Sequence, residues 1–160
     1  MPVSTRVEDV RNEIAALAQA SSSAKDLMQG VCRQLHERML KYNWVGFYML
    51  EAGAQPPVLV LQAFVGAMTP HTRIPLNQGI CGAAASSGRT IVVDDVSKDP
   101  RYLACSLETK SEIVVPIFVG GQVAGELDID SHFAAAFGVE DQKLVQYCAE
   151  IVGEKMEKSL

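Results

Sequence analysis

Apolar positions along the chain change their period twice, and the changes mark the predicted elements. Met28, Val31, Cys32, Leu35 and Met39 return every three or four positions, the spacing that lines one side of an α-helix. Ser23-x-x-Asp26 stands just ahead of that stripe and reads as its capping signal, while Thr5-x-x-Glu8 reads as the start of an earlier helix. Toward the other end Leu144, Cys148, Ile151 and Val152 form one face of a helix expected from about Asp141 onward. Cys32 and Cys148 sit on these stripes and are expected in the core.

Between the helices the period shortens to two. Runs rich in β-branched and aromatic residues predict strands over Trp44 to Leu50, about Val58 to Val65, Thr90 to Val93, Glu112 to Val119 and Gln122 to Asp130. Gly120-Gly121 predicts a hairpin between the last two. With a two-residue turn, Val119 faces Gln122 and Glu112 faces Ile129, which turns Glu112 away from Asp130. A bulge near Pro116 or Gly125 shifts the register by one and returns both carboxylates to one face. On the last strand Glu126, Asp128 and Asp130 alternate with apolar residues, and Glu126 is expected on a solvated face.

Helices before and after a mostly antiparallel sheet, with no βαβ alternation and no internal repeat, give an α+β fold with N- and C-terminal helices packed against a central sheet. At 160 residues and 48% hydrophobic content, the chain suits one domain over residues 1–160. The stretch from Asp94 to Lys110, with Pro100 and Cys105, is the longest irregular one and is expected to be a functional loop.

Charge narrows the partners. A net charge of −5 without a Lys/Arg stripe offers nothing to neutralise phosphates, so nucleic acid is not expected. No apolar run reaches the ~20 residues that span a bilayer, and the Met-Pro-Val-Ser-Thr start lacks a signal region. No membrane association and a cytoplasmic location are therefore expected. In a reducing compartment the four cysteines are expected to be free, catalytic or metal-bound rather than permanently bridged. Cys81, Cys105 and His71 lack paired zinc-ligand spacing, so no metal is expected.

The candidate chemistry gathers in the second half. Gly79-Ile80-Cys81-Gly82 reads as a turn, Cys105 follows in the polar loop, and then come Ser111-Glu112 and Asp128-Ile129-Asp130. These segments, together with Asn43-Trp44-Val45-Gly46-Phe47-Tyr48, Ala83-Ala84-Ala85, Ala104 and Ile113-Val114-Val115-Pro116, closely resemble the free methionine-(R)-sulfoxide reductases, a family built on a single GAF domain. The resemblance runs in order and spacing from about Asn43 to Ser131.

It implies a GAF fold with helices behind the antiparallel sheet and a small pocket under loops on the other face. It further implies that Cys105 attacks the sulfur of free methionine sulfoxide, that Glu112, Asp128 and Asp130 line the pocket, and that Trp44 and Tyr48 enclose the substrate's methyl end. No cofactor is implied; thioredoxin is the reductant, and family members often form homodimers.

The chemistry accounts for these residue types. A sulfoxide oxygen leaves only if an acid protonates it as the S–O bond breaks, so Glu112 or Asp130 must carry a proton. Carboxylates crowded in a partly dry pocket raise one another's pKa, which lets one stay neutral near pH 7. Ionised neighbours suit the ammonium of a free amino acid. Attack leaves Cys105 as a sulfenic acid that a second thiol condenses to a disulfide.

The chain departs from the family pattern at two places. Many members carry a further cysteine ten residues before the Gly-x-Cys-Gly cysteine, where this chain has His71, and Arg101-Tyr102-Leu103 stands where relatives often have Gly-His-Ile. Cys81 is then the expected resolving thiol, paired with Cys105. The alternative is a non-catalytic GAF sensor of small molecules or of oxidation.

Overall fold

The computed structural model describes residues 5–103 and 106–159. Ala104 and Cys105 lie outside the described residues, so the expected nucleophile has no structural description.

Two helices open the fold, α1 (Thr5–Ala20) and α2 (Ala24–Arg38). The Ser23 side chain accepts the Asp26 N–H at 3.1 Å, which satisfies one of the donors that a helix start leaves without a partner. Strands β1 (Trp44–Leu50), β2 (Val58–Val65) and β3 (Arg73–Pro75) follow, then α3 (Gly79–Ser87) and β4 (Ile91–Val93). A 3₁₀ turn at Val96–Lys98 interrupts the long irregular stretch. The hairpin β5 (Ser111–Val119) and β6 (Gln122–Ser131) precedes the last helix, α4 (Val139–Lys158). Its first turn is fixed by Asp141, whose carboxylate accepts the Gly138 N–H at 3.1 Å and the Tyr42 hydroxyl at 2.6 Å.

The six strands form one antiparallel sheet in the order β3-β2-β1-β6-β5-β4. Alternate residues send side chains to opposite faces, and each face has its own core. Val45, Phe47, Ile113, Val115, Leu127 and Ile129 pack with Leu27, Val31, Leu35, Leu144, Val145 and Val152 of α2 and α4. Helix α1 joins this larger core through Val10 and Ile14. Cys32 and Cys148 are fully buried within it, as their helical stripes require. On the other face Trp44, Tyr48 and Val114 pack with Ile80, Cys81 and Ala84 of α3.

The α+β, GAF-like architecture with N- and C-terminal helices against one face therefore holds, with two additions. Gly-Ile-Cys-Gly is the first turn of α3 rather than a loop turn, and α3 covers the opposite face. Strand β3 has only three residues, Arg73–Pro75, too few to show an alternating pattern.

Candidate active site

The geometry of the site is set by one extra residue in β6. From the turn, Val119 pairs with Gln122 and Phe118 with Val123, but Ile117 pairs with Gly125, which leaves Ala124 bulged out. Every later pair is displaced by one, so Glu112 opposes Asp130 and Val114 opposes Asp128. On its other side β6 pairs Asp130 with Trp44, Asp128 with Gly46 and Glu126 with Tyr48. Three adjacent strands thus present one patch under α3, with acids along its middle row and aromatics along one border.

The aromatic border is anchored outward. The Trp44 indole N–H donates to the Ala67 carbonyl at 3.0 Å, and the Tyr48 hydroxyl donates to the His71 carbonyl at 2.6 Å. Both bonds hold the segment between β2 and β3 against the sheet. The Trp44 ring stacks on Phe64 with centroids 5.8 Å apart and lies 6.2 Å from Tyr48. It folds across Gly46, where an added Cβ would sit 2.3 Å from the indole; only glycine leaves that space.

The acids are sealed from water. Glu112, Glu126, Asp128 and Asp130 are all buried, and burial is the leading cause that raises each of their pKa values above the ordinary carboxylate range. Glu112 is pushed up further by Asp128 and Asp130 and is hydrogen-bonded to both. Three carboxylates that share so little space cannot all ionise. Glu112 is the one best placed to keep its proton, because it can donate to either neighbour.

Cys81 completes the cluster. Position Gly79 reaches φ +72° at the start of α3, and the helix then directs Cys81 back onto β6, where its thiol donates to Asp128 Oδ2 at 3.4 Å. Burial, followed by the charges of Asp128, Glu126 and Glu112, raises the Cys81 pKa well above that of a free thiol. At rest it is a thiol, not a thiolate. Polar atoms of Cys81, Glu112 and Asp128 converge to within 4.8 Å of one another, close enough to hold one cation, whether a metal ion or an organic ammonium.

These three residues, with Tyr48, His71 and Leu103, line a small cavity. Leu103 packs over Gly79, where an added Cβ would be 2.9 Å from the leucine side chain. The free space in this arrangement is only ≈ 10 Å³, about that needed by one water molecule.

Of the residues that the sequence singled out, Cys81, Glu112, Asp128, Asp130, Trp44 and Tyr48 share this one face; Cys105 falls outside the described residues. One expectation is corrected. Glu126 is not solvated but fully buried at 0% exposure, because α3 covers the strand face that a solvated hairpin would expose. His71 and Leu103 enter the cavity lining from loops, and no periodic pattern in the sequence marks them.

Comparison with known proteins gives this constellation a context. Residues 23–155 match the GAF domain family. The free methionine-R-sulfoxide reductase of Escherichia coli is 34% identical over 84% of this chain and 79% of its own length. The crystal structure of the Neisseria meningitidis free methionine-R-sulfoxide reductase with its substrate superposes with a TM-score of 0.88 at 34% identity, covering 96% of this chain and 89% of that one. A type II free methionine-R-sulfoxide reductase of Thermoplasma acidophilum gives a TM-score of 0.78 at 40% identity, covering 89% of this chain and 96% of the other. With several aligned segments on one buried face and matching relatives over most of its length, the chain belongs to the GAF-domain family of free methionine-R-sulfoxide reductases.

Proposed function

We propose that this protein reduces free L-methionine-(R)-sulfoxide to methionine, with Cys105 as the nucleophile and Cys81 as the thiol that resolves it. The observation that carries the reading is the convergence of Glu112, Asp128 and Cys81 on one cavity that Leu103, two residues before Cys105, also lines.

Each group has a task in the proposed reaction. Asp128, the carboxylate best supplied with donors through Glu112 and Cys81, holds the ammonium group of a free amino acid. Glu112 keeps its proton and delivers it to the sulfoxide oxygen as the S–O bond breaks, with Asp130 hydrogen-bonded beside it. Trp44 and Tyr48 border the acids and enclose the apolar end of the substrate. The Cys105 sulfur attacks the sulfoxide sulfur, methionine leaves, and the oxygen ends on Cys105 as a sulfenic acid.

The raised pKa of Cys81 supports this division of labour. A buried thiol among carboxylates is a poor first nucleophile, and the proposed cycle instead gives it an electrophilic sulfenic acid to attack. Its S–H and the sulfenic hydroxyl leave together as water, and the Cys81–Cys105 disulfide forms. Thioredoxin then reduces that disulfide. Such a cycle suits a reducing compartment, and a cytoplasmic location belongs to the same proposal. None of the described helices is long and apolar enough to cross a membrane. A homodimer belongs to the same proposal, with α1 and α2 as the contact surface and sedimentation as its check.

A cavity of this size admits a free amino acid only if Leu103 moves off Gly79. The deciding experiment offers the R and S epimers of free methionine sulfoxide separately to the purified protein with NADPH, thioredoxin and thioredoxin reductase. Sustained R-selective NADPH consumption is expected. Methionine in a single equivalent without turnover would remove thioredoxin as the reductant, and no methionine at all would leave a binding or sensor domain.

A further inference from the structure

Cys81, Glu112 and Asp128 come from three separate elements, α3, β5 and β6, without the paired spacing that marks many zinc sites in a sequence. In the fold, one ligand atom of each lies within 4.8 Å of the other two. Helix α3 lays Cys81 against Asp128, and the Ala124 bulge brings Glu112 to the same face. Glu112 and Asp128 are diagonal neighbours across the β5–β6 ladder, a separation that two acidic side chains can close.

A second observation points to a cation. Asp128 is 3% exposed and lines the small cavity, yet its Oδ1 has no hydrogen-bond partner among the described residues. The Oδ1 of Asp130, also 3% exposed, has none either. Buried carboxylate oxygens without donors carry a free-energy cost that a bound cation removes. The cavity sets the size of that cation. Its free space of ≈ 10 Å³ fits an ion or one water, and excludes an amino acid while Leu103 covers Gly79.

The donor set selects the ion. Calcium and magnesium take shells of oxygen ligands, whereas a thiolate sulfur favours softer metals. One sulfur and two carboxylate oxygens, with a fourth position left for water, suit tetrahedral zinc at about 2.3 Å to sulfur and about 2.0–2.2 Å to oxygen. Donors as far as 4.8 Å apart must close by about 1 Å to reach that geometry, a shift within the reach of side-chain rotation.

We propose that Cys81, Glu112 and Asp128 form a site for a thiophilic divalent cation of the zinc class, and that this ion and free methionine sulfoxide exclude one another. As the ion binds, the Cys81 S–H bond breaks, its electron pair bonds to the metal and the proton passes to water; nothing is oxidised or reduced. The exclusion rests on the proposed function. A metal-bound Asp128 cannot hold the substrate ammonium, and a metal-bound Cys81 cannot resolve the sulfenic acid, so the ion idles the enzyme.

The test uses cobalt(II), which reports thiolate ligation by a charge-transfer band and tetrahedral geometry by its visible absorption, added to the reduced full chain without oxygen. About one equivalent is expected to bind with both signals, and zinc is expected to displace it and to raise the Tm. Cys81→Ser is expected to lose the charge-transfer band, and Asp128→Asn to bind about tenfold or more weakly. Cys105→Ser is expected to keep both signals, and excess free methionine-(R)-sulfoxide to abolish them in that variant. Circular dichroism confirms that each variant folds, and Cys81→Ala replaces Cys81→Ser if the serine variant does not.

No cobalt bound by the parent, or a charge-transfer band that survives loss of Cys81, would overturn the site. Loss of the band in Cys105→Ser would overturn this ligand set. A cobalt spectrum indifferent to methionine sulfoxide would overturn the exclusion, and methionine formation by the metal-free parent then decides separately whether the proposed activity stands.

Discussion

Glu112 lies directly across the β5–β6 ladder from Asp130, one position away from where an uninterrupted two-residue hairpin would put it. The single bulged residue, Ala124, decides whether the acid on β5 joins the acids on β6 or faces the opposite core. A carboxylate turned toward Ile113, Val115 and Leu127 would have no partner there.

In the proposed reaction Glu112, on the shared face, is the proton source. Glu112→Gln keeps shape and hydrogen bonding but has no proton to give, so the methionine-forming rate is expected to fall by about 10²- to 10⁴-fold with a smaller change in KM. Rapid-quench measurement of the first turnover separates the two; a rate near that of the parent would reassign the proton to Asp130.

The two thiols of the cycle should separate cleanly. Cys105→Ser is expected to abolish methionine formation. Cys81→Ser is expected to give about one equivalent of methionine from reduced protein and then to stall with thioredoxin. Normal thioredoxin-dependent turnover in Cys81→Ser would exclude Cys81 as the resolving thiol.

Stability should depend on pH in an uncommon direction. Glu112, Glu126, Asp128 and Asp130 all bind protons more tightly when folded, chiefly because of burial. Their contribution is complete below the ordinary carboxylate pKa of about 4 and is lost as pH rises through their raised folded values. Thermal melts are therefore expected to show a lower Tm at pH 8 than at pH 5, and a smaller difference in Glu126→Gln. A Tm that climbs over this window would mean that the acids are ionised and paired in the folded protein.

Tyr48→Phe removes the 2.6 Å bond to the His71 carbonyl. A loss of about 1 kcal/mol in urea unfolding is expected, together with a higher KM as the segment carrying His71 loosens. An unchanged KM would show that this segment contributes nothing to binding.

Gly46→Ala would set a methyl 2.3 Å from the Trp44 ring and is expected to cost about 1–3 kcal/mol through displacement of the indole. Trp44 is the only tryptophan in the chain, so its emission reports the displacement directly. An unshifted spectrum would place the strain elsewhere.

The helical stripes around Cys32 and Cys148 and the four longer strands were legible because each buries one regular face, and a regular face writes its period into the chain; the three-residue β4 was legible with them from its β-branched run. Helix α3 was not. Gly79, Gly82 and three consecutive alanines give it no polar side, since it packs between the sheet and loops and needs small residues for close approach. An added Cβ on Gly82 would come within 2.8 Å of the Leu76 carbonyl. That missing helix also explains Glu126: alternation placed it correctly on the face of Asp128 and Asp130, but only the cover over that face determines whether such a residue meets water. The bulge was legible as a need, because two acids had to meet, and so was its neighbourhood beside Gly125; only the residue that carries it, Ala124, was not.

The two separate cores have a consequence for how this chain tolerates change. Among the described residues, the larger one, between the sheet and α1, α2 and α4, contains none of the proposed reacting groups, whereas the smaller one under α3 contains Cys81 and borders the acids. Mutations on the reactive side can therefore accumulate, and even exchange one chemistry for another, while the opposite side keeps the chain folded. A scaffold divided in this way separates the inheritance of shape from the inheritance of activity.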